Sequence, residues 1–227
     1  MRNRLHPVGR REAIVTGCGV VATLLAACAS TSEGRETAVN LKYTHDGRLT
    51  GAFAGRSVNV ATKLPSGQGN AGGTIAEEPI AASWQIAYNG TGGQTVLPVT
   101  LYGSFAKQSL LLSATFRLMP NFLLESGTVT GTSNGRPVHA DVTSASGESS
   151  SSVNVNGSFA GTAFSLYATL DLQGGGLVRG TVGGRPTHLT AKARSGAIHI
   201  TGDYSGPSAL FVLSAGSLIY FLGGIYA

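Results

Sequence analysis

The groups in this 227-residue chain that could do chemistry are few: five His, 16 Lys or Arg, 11 Asp or Glu and two Cys. His139 and His188 stand at equivalent places, each three residues after an arginine, Arg136 and Arg185. Two imidazoles at matched positions could hold a metal or act as general bases. Against that, the third equivalent place holds Asn59, no HExxH spacing occurs and no cysteine accompanies them. In strand geometry His139 shares a face with Asp141, and His188 with Thr190 and Lys192, so both read as polar-face residues repeated with their surroundings. His45 beside Asp46, and His199, read as isolated and solvated. Arg56, Arg136 and Arg185 recur at one place; as a ladder they would bind an acidic ligand, and as separate residues they would lay their stems over hairpin ends with the charge in water. Ser104-Phe105-Ala106-Lys107 has the SxxK spacing, but that motif works from a helix N-terminus, and neither SDN nor KTG is present. The phosphate-cradling GxxxxGKS/T is also missing. Phe105, Phe159 and Tyr204 recur and could stack on a sugar or base, although cross-strand packing explains them more simply. The sequence thus predicts no catalytic residue, no metal ligand and no cofactor.

The elements that must carry these residues are strands. Three stretches align: Gly51 to Lys63, Gly131 to Thr143 and Gly180 to Lys192, with Gly at the first and fifth places and Arg at the sixth. A second motif follows each of them: Gly103-Ser-Phe105, Gly157-Ser-Phe159 and Gly202-Asp-Tyr204. The alternation of the two motifs implies three double-hairpin units, about 40–118, 119–172 and 173–227. Leu110, Leu112, Ala114, Phe116 and Leu118 lie on one parity against Ser109, Ser113, Thr115 and Arg117, with Leu111 the exception. Phe164, Leu166, Ala168, Leu170 and Leu172 oppose Ser165, Tyr167, Thr169 and Asp171 in the same way. Period-2 alternation gives each strand one dry and one wet face. Asn134-Gly135, Gly183-Gly184 and Ala54-Gly55 sit where tight hairpins would turn, and Pro137 and Pro186 where strands would start. Leu64 to Pro98, with three Pro and many Gly, reads as an insertion of loops and a strand or two around Trp84 and Ile86; Ser144 to Ser152 reads as a Ser-rich loop.

Composition agrees with strands. Of the 33 Gly only Gly9, Gly17 and Gly19 precede residue 28, so the remainder is too glycine-rich for long helices. The formal charge is +5, but Arg2, Arg4, Arg10, Arg11 and Glu12 lie in the first 27 residues, leaving 12 Lys/Arg against 10 Asp/Glu. The basic balance is therefore largely a property of the N-terminus and predicts no nucleic-acid binding.

That N-terminus has the order of a secretory signal: basic to Glu12, apolar from Ala13 to Leu25, then small residues. Leu25-Ala26-Ala27-Cys28 resembles the lipobox of bacterial lipoproteins. The resemblance implies cleavage after residue 27 and lipidation of Cys28 with acyl chains such as palmitate, several of which hold a protein stably at a bilayer. Arg10-Arg11 also resembles part of a twin-arginine signal, with Ala13 in place of the usual bulky residue, so the export route stays open. Cys18 belongs to the signal, which leaves Cys28 without a partner for an internal disulfide. Residues 28–38 read as a flexible tether and 39–227 as a single β domain. Residues 208–227 carry no charge and are long enough to span a bilayer as a helix, yet the repeats make Ala209, Phe211, Leu213 and Ala215 a buried strand. Gly202-Asp-Tyr204-Ser-Gly206-Pro207-Ser-Ala209 resembles the GxFxGPxA stretch of transferrin-binding-protein-B-like surface lipoproteins, which implies a lipid-anchored β-barrel that binds another macromolecule; here Leu210, Phe211 and Val212 replace that family's following acidic and Gly-Gly positions.

These readings predict an all-β antiparallel meander of ten to fourteen strands, a closed barrel in preference to a sandwich. They predict a non-enzymatic protein of the cell envelope, held to a bacterial membrane (the outer membrane or cell surface in a Gram-negative cell) by lipid on Cys28, binding a protein or a small apolar ligand or playing a structural role. Two alternatives are an exported hydrolase or other ligand-processing enzyme with an unrecognised site, and a protein that inserts into the membrane through 208–227.

Overall fold

The computed structural model describes residues 37–204, except 45, 64–67, 88, 92–93, 120–123, 147–149, 172–174 and 196. Cys28, His45, Leu172 and the apolar stretch from 208 onward lie outside the described residues. Every regular element among them is a strand. The first half comprises β1 (Thr37–Thr44), β2 (Arg48–Phe53), β3 (Arg56–Lys63), β4 (Gln68–Ile75), β5 (Glu78–Ile86), β6 (Asn89–Thr91), β7 (Gln94–Phe105) and β8 (Gln108–Leu118). The second half comprises β9 (Leu124–Ser133), β10 (Arg136–Ser146), β11 (Ser150–Phe159), β12 (Thr162–Asp171), β13 (Gly175–Val182), β14 (Arg185–Arg194) and β15 (Ala197–Tyr204).

From β2 on, each strand except β6 pairs antiparallel with the one before it, and β15 returns to pair with β1, Thr37 opposite Tyr204 and Thr44 opposite Ala197. The short β6 pairs only with the start of β7, while β5 pairs directly with β7, so fourteen strands form the closed wall. Closure leaves this fourteen-strand wall without an open edge. It also separates two faces completely. Leu110, Leu112, Ala114, Phe116 and Leu118 are buried, and so are Phe164, Leu166 and Ala168, whereas Leu111 on the opposite parity is exposed. One apolar cluster runs through the interior. The outer face is mostly Ser, Thr, Asn and charged residues; Tyr102 and Leu111 are the large apolar side chains exposed among the described residues.

The two poles of the barrel differ. At one, six described hairpins turn on two residues, Ala54-Gly55, Ala76-Glu77, Ala106-Lys107, Asn134-Gly135, Ala160-Gly161 and Gly183-Gly184, all twelve with positive φ. This is the type I′ geometry, whose twist matches that of the flanking strands. The turns also tie into the wall: Ala106 N donates to the Pro79 carbonyl at 2.8 Å, and Ala160 N to that of Pro137 at 3.0 Å. The other pole carries the longer connections.

Three residues before each tight turn, and equivalently at Gly202, stands a glycine on the parity of the buried residues: Gly51, Gly73, Gly103, Gly131, Gly157, Gly180 and Gly202. A Cβ on any of them would lie 2.0–2.2 Å from a carbonyl oxygen of the preceding paired strand, where no atom fits. Their ladder partners are Leu41, Val60, Ala82, Leu112, Ala140, Leu166 and Leu189. Such close approach is what lets a strand bend sharply across its neighbour. Two residues on, Phe53, Ile75, Phe105, Ser133, Phe159, Val182 and Tyr204 are all buried beneath the turn pole. The two sequence motifs are therefore one and the same element, and each double-hairpin unit contains two copies of a single-hairpin repeat.

A seventh copy, Gly73-Thr74-Ile75-Ala76-Glu77, lies in the stretch read from sequence as an insertion. That reading is corrected: β4 and β5 are full strands of the wall, joined by a turn that reaches positive φ at Ala76 and Glu77 without glycine. The Ser-rich segment is likewise mostly strand, with β10 running to Ser146 and β11 starting at Ser150. Pro137 and Pro186 are the second residues of β10 and β14, as the sequence predicts.

Two outcomes follow. Gly131→Ala, at φ 150° with a backbone oxygen 2.1 Å from the new Cβ, should abolish folding or cost more than about 3 kcal/mol, whereas Gly135→Ala, in the open turn at φ 75°, should cost about 1–2 kcal/mol. Equal losses in denaturant melts would contradict the close-approach argument. Thr187 is 3% exposed and its hydroxyl has no partner among the described residues, so Thr187→Val should raise stability by about 1 kcal/mol in the same assay.

Candidate functional site

The barrel decides where each polar group can act. Outward residues of adjacent strands meet side by side about 4.8 Å apart, and residues two apart on a strand about 6.6 Å. His139 is on β10 and His188 on β14, with three strands between them, so they form no joint site. His139 Nε2 contacts Asp141 Oδ2 at 3.1 Å, with both side chains more than half exposed. Ser158 is the ladder partner of His139, which places Ser, His and Asp on one outer patch. Among the described residues no hydrogen bond joins Ser158 to His139, and the group sits on the convex wall. His188 stands between Arg179 and Asp203, and Arg179 lies over the Tyr167 ring at 5.2 Å. No group of three His, Cys, Asp or Glu among the described residues is arranged to hold a metal.

Arg56, Arg136 and Arg185 open β3, β10 and β14, too far round the wall to form a ladder. The Arg136 guanidinium reaches over the Ala160-Gly161 turn of the next hairpin. Ser104 and Lys107 sit at the end of β7 and in the turn after it, on no helix. Phe105, Phe159 and Tyr204 point inward and are buried, and the Phe53 and Tyr204 rings lie 5.9 Å apart, so the recurring aromatics are packing residues.

At the pole of longer connections the β1–β2 link is tightly bonded. Thr44 Oγ1 donates to the Asp46 carboxylate and lies 3.2 Å from the Arg48 carbonyl, and Arg48 Nε reaches Asp46 at 3.3 Å. The buried Thr62 donates both its backbone N–H and its hydroxyl to the Gly47 carbonyl, each at 2.8 Å. The Thr44 hydroxyl, with Arg48 adding, holds Asp46 below the ordinary carboxylate range. Burial raises Tyr43 above the ordinary phenol value; a hydrogen bond with Thr62 opposes the shift and the Asp46 charge adds to it.

A charge asymmetry emerges only from the strand order. From β13 through β14, β15, β1 and β2 to β3 the chain carries eight Lys or Arg against Asp46 and Asp203 alone. The described residues of the remaining wall, β4 through β12, carry three Lys or Arg against five Asp or Glu. At the centre of the basic sector, Lys192, His199 and Lys42 stand side by side on β14, β15 and β1. His199, isolated in the sequence, is thus half-buried between two lysines 150 residues apart along the chain. No sequence spacing announces this row, because it depends on β15 closing onto β1. No family model, curated protein or solved structure matches the chain.

The raised Tyr43 makes a pH prediction. A phenol whose folded value exceeds 10.0 contributes its full stability below that pH and loses it as pH climbs through the folded value. Denaturant melts of wild type should therefore weaken above pH 10 more steeply than those of Tyr43→Phe; parallel pH curves would contradict the buried position of the ring.

Proposed function

We propose that this is a lipid-anchored protein of the bacterial cell envelope that binds an extracytoplasmic partner without chemical turnover. The anchor rests on Leu25-Ala26-Ala27-Cys28 following a basic and then an apolar segment. The observation that carries the reading is the inverted polarity of the wall. A barrel that crosses a bilayer turns apolar residues outward to lipid. Here the described strands turn them inward and present Ser, Thr, Asn and charges. Such a barrel stands in water and needs a separate device to stay at a membrane. Acyl chains on Cys28 supply it: nine residues before Thr37, they lie within about 32 Å of the start of β1.

The attachment also orients the domain. β1 begins at the pole of tight turns, opposite the end of β15. A tether arriving there turns that pole toward the membrane and offers the outer wall and the longer connections to the envelope space. The resemblance of residues 202–209 to transferrin-binding-protein-B-like lipoproteins fits a barrel of this kind, and no binding residue is carried over from it.

Radiolabelled palmitate fed to expressing bacteria should enter the wild type and not Cys28→Ala, and the variant should lose its stable membrane association. Equal labelling of both proteins, or an unmodified Cys28 thiol in the mass spectrum of the purified wild type, would overturn the anchor.

A further inference from the structure

We propose that the outer wall of β14, β15 and β1 binds an acidic polysaccharide. The inference deepens the reading above, on which it rests for the compartment where such a polymer is met.

Lys192, His199 and Lys42 form one row across three strands, and Arg194 stands two residues beyond Lys192 toward the pole of longer connections. Lys42, Lys192 and Arg194 are exposed, and none of the three has an ion-pair partner among the described residues. Two strand spacings put Lys42 and Lys192 about 10 Å apart, within the range over which charges repel at ordinary salt. Like charges without acids between them weaken a sheet. The nearby carboxylate of Asp46 is held by Thr44 and Arg48, and Asp203 lies four residues further along β15 from His199. An external polyanion would neutralise the row that the barrel leaves uncompensated.

The neighbouring residues narrow the class of polyanion. The next row holds Thr190, Thr201 and Asn40, with the two threonine hydroxyls 3.1 Å apart, and the lysine row continues into Thr50 and Asn59. Hydroxyls and amides beside cations suit a polymer that carries sugar hydroxyls beside carboxylates, sulfates or phosphates. Single-stranded nucleic acid calls for exposed aromatics on which bases stack. The exposed ring among the described residues, Tyr102, is on β7, across the barrel. Position separates the row from the anchoring bilayer as well. Lys42 lies five residues along β1 from Thr37, about 17 Å from the tethered pole.

The test uses the purified full chain in neutral detergent, with fluorescent polygalacturonate and heparin as acidic probes. Neutral dextran, single-stranded DNA and vesicles containing phosphatidylglycerol serve as comparison ligands. The wild type should bind the acidic polysaccharides and not dextran, with affinity falling between about 50 and about 200 mM salt. Lys42→Glu/Lys192→Glu should weaken binding roughly tenfold or more, and the charge-matched Lys107→Glu/Arg117→Glu on the other side of the barrel should leave it within about twofold. If the first pair fails to fold, Lys42→Gln/Lys192→Gln should still reduce affinity and its salt dependence. Equal loss from both pairs, no affinity for either acidic polysaccharide, or tighter binding to DNA or to the vesicles would overturn the proposal.

Discussion

The constraint on which the rest of the structure depends is steric. At seven places around the wall, a strand passes its neighbour so closely that a Cβ would lie 2.0–2.2 Å from a carbonyl oxygen. Only a residue with no side chain can stand there. With glycine in place, each hairpin bends inward at the same level, and fourteen strands close on themselves. Closure converts the alternation within each strand into an inside and an outside. The residues two places beyond the glycines, aromatic or branched except Ser133, then fill the space under the tight turns. No disulfide between Cys18 and Cys28 could stitch this wall, because both precede its first strand.

Much of this was legible in the residues. The parity of Leu110 to Leu118 and of Phe164 to Ala168 shows directly which side of each strand is dry, and Asn134-Gly135 and Gly183-Gly184 mark hairpins by chemistry alone. What stayed hidden has physical causes. The Ala76-Glu77 turn takes positive φ with two side-chain-bearing residues, so it gave no turn signal, and Pro79 just after it suggested a loop. That one silent turn concealed a hairpin and made a series of seven glycine motifs look like three pairs with an insertion. The buried polar residues Ser133 and Thr187 fall at places where other copies carry apolar side chains, and this weakened the match between copies.

The candidate site was less legible than the fold. Repetition drew attention to His139, His188 and the three arginines, but the ladder disperses them around the wall. The uncompensated cations of β14, β15 and β1 come from opposite ends of the chain, and no local pattern connects Lys42 with Lys192. A closed sheet makes such neighbours: its last strand meets its first, and any charge imbalance at the seam is a property of the fold. The same seam lies beside the entry of the chain at Thr37, which links the place of the proposed anchor to the orientation of the basic wall.

Cysteine accessibility tests the inside–outside assignment most directly. In the full chain carrying Cys18→Ser and Cys28→Ala, single cysteines at Thr130 and at Val129 differ by one residue on β9 and by the whole thickness of the wall. Without detergent, Thr130→Cys should react with a polar maleimide at the rate of a free thiol, and Val129→Cys should react only after denaturation. Equal rates in the native state, or a protected Cys at 130 beside a reactive one at 129, would contradict a closed barrel that is dry within and wet without.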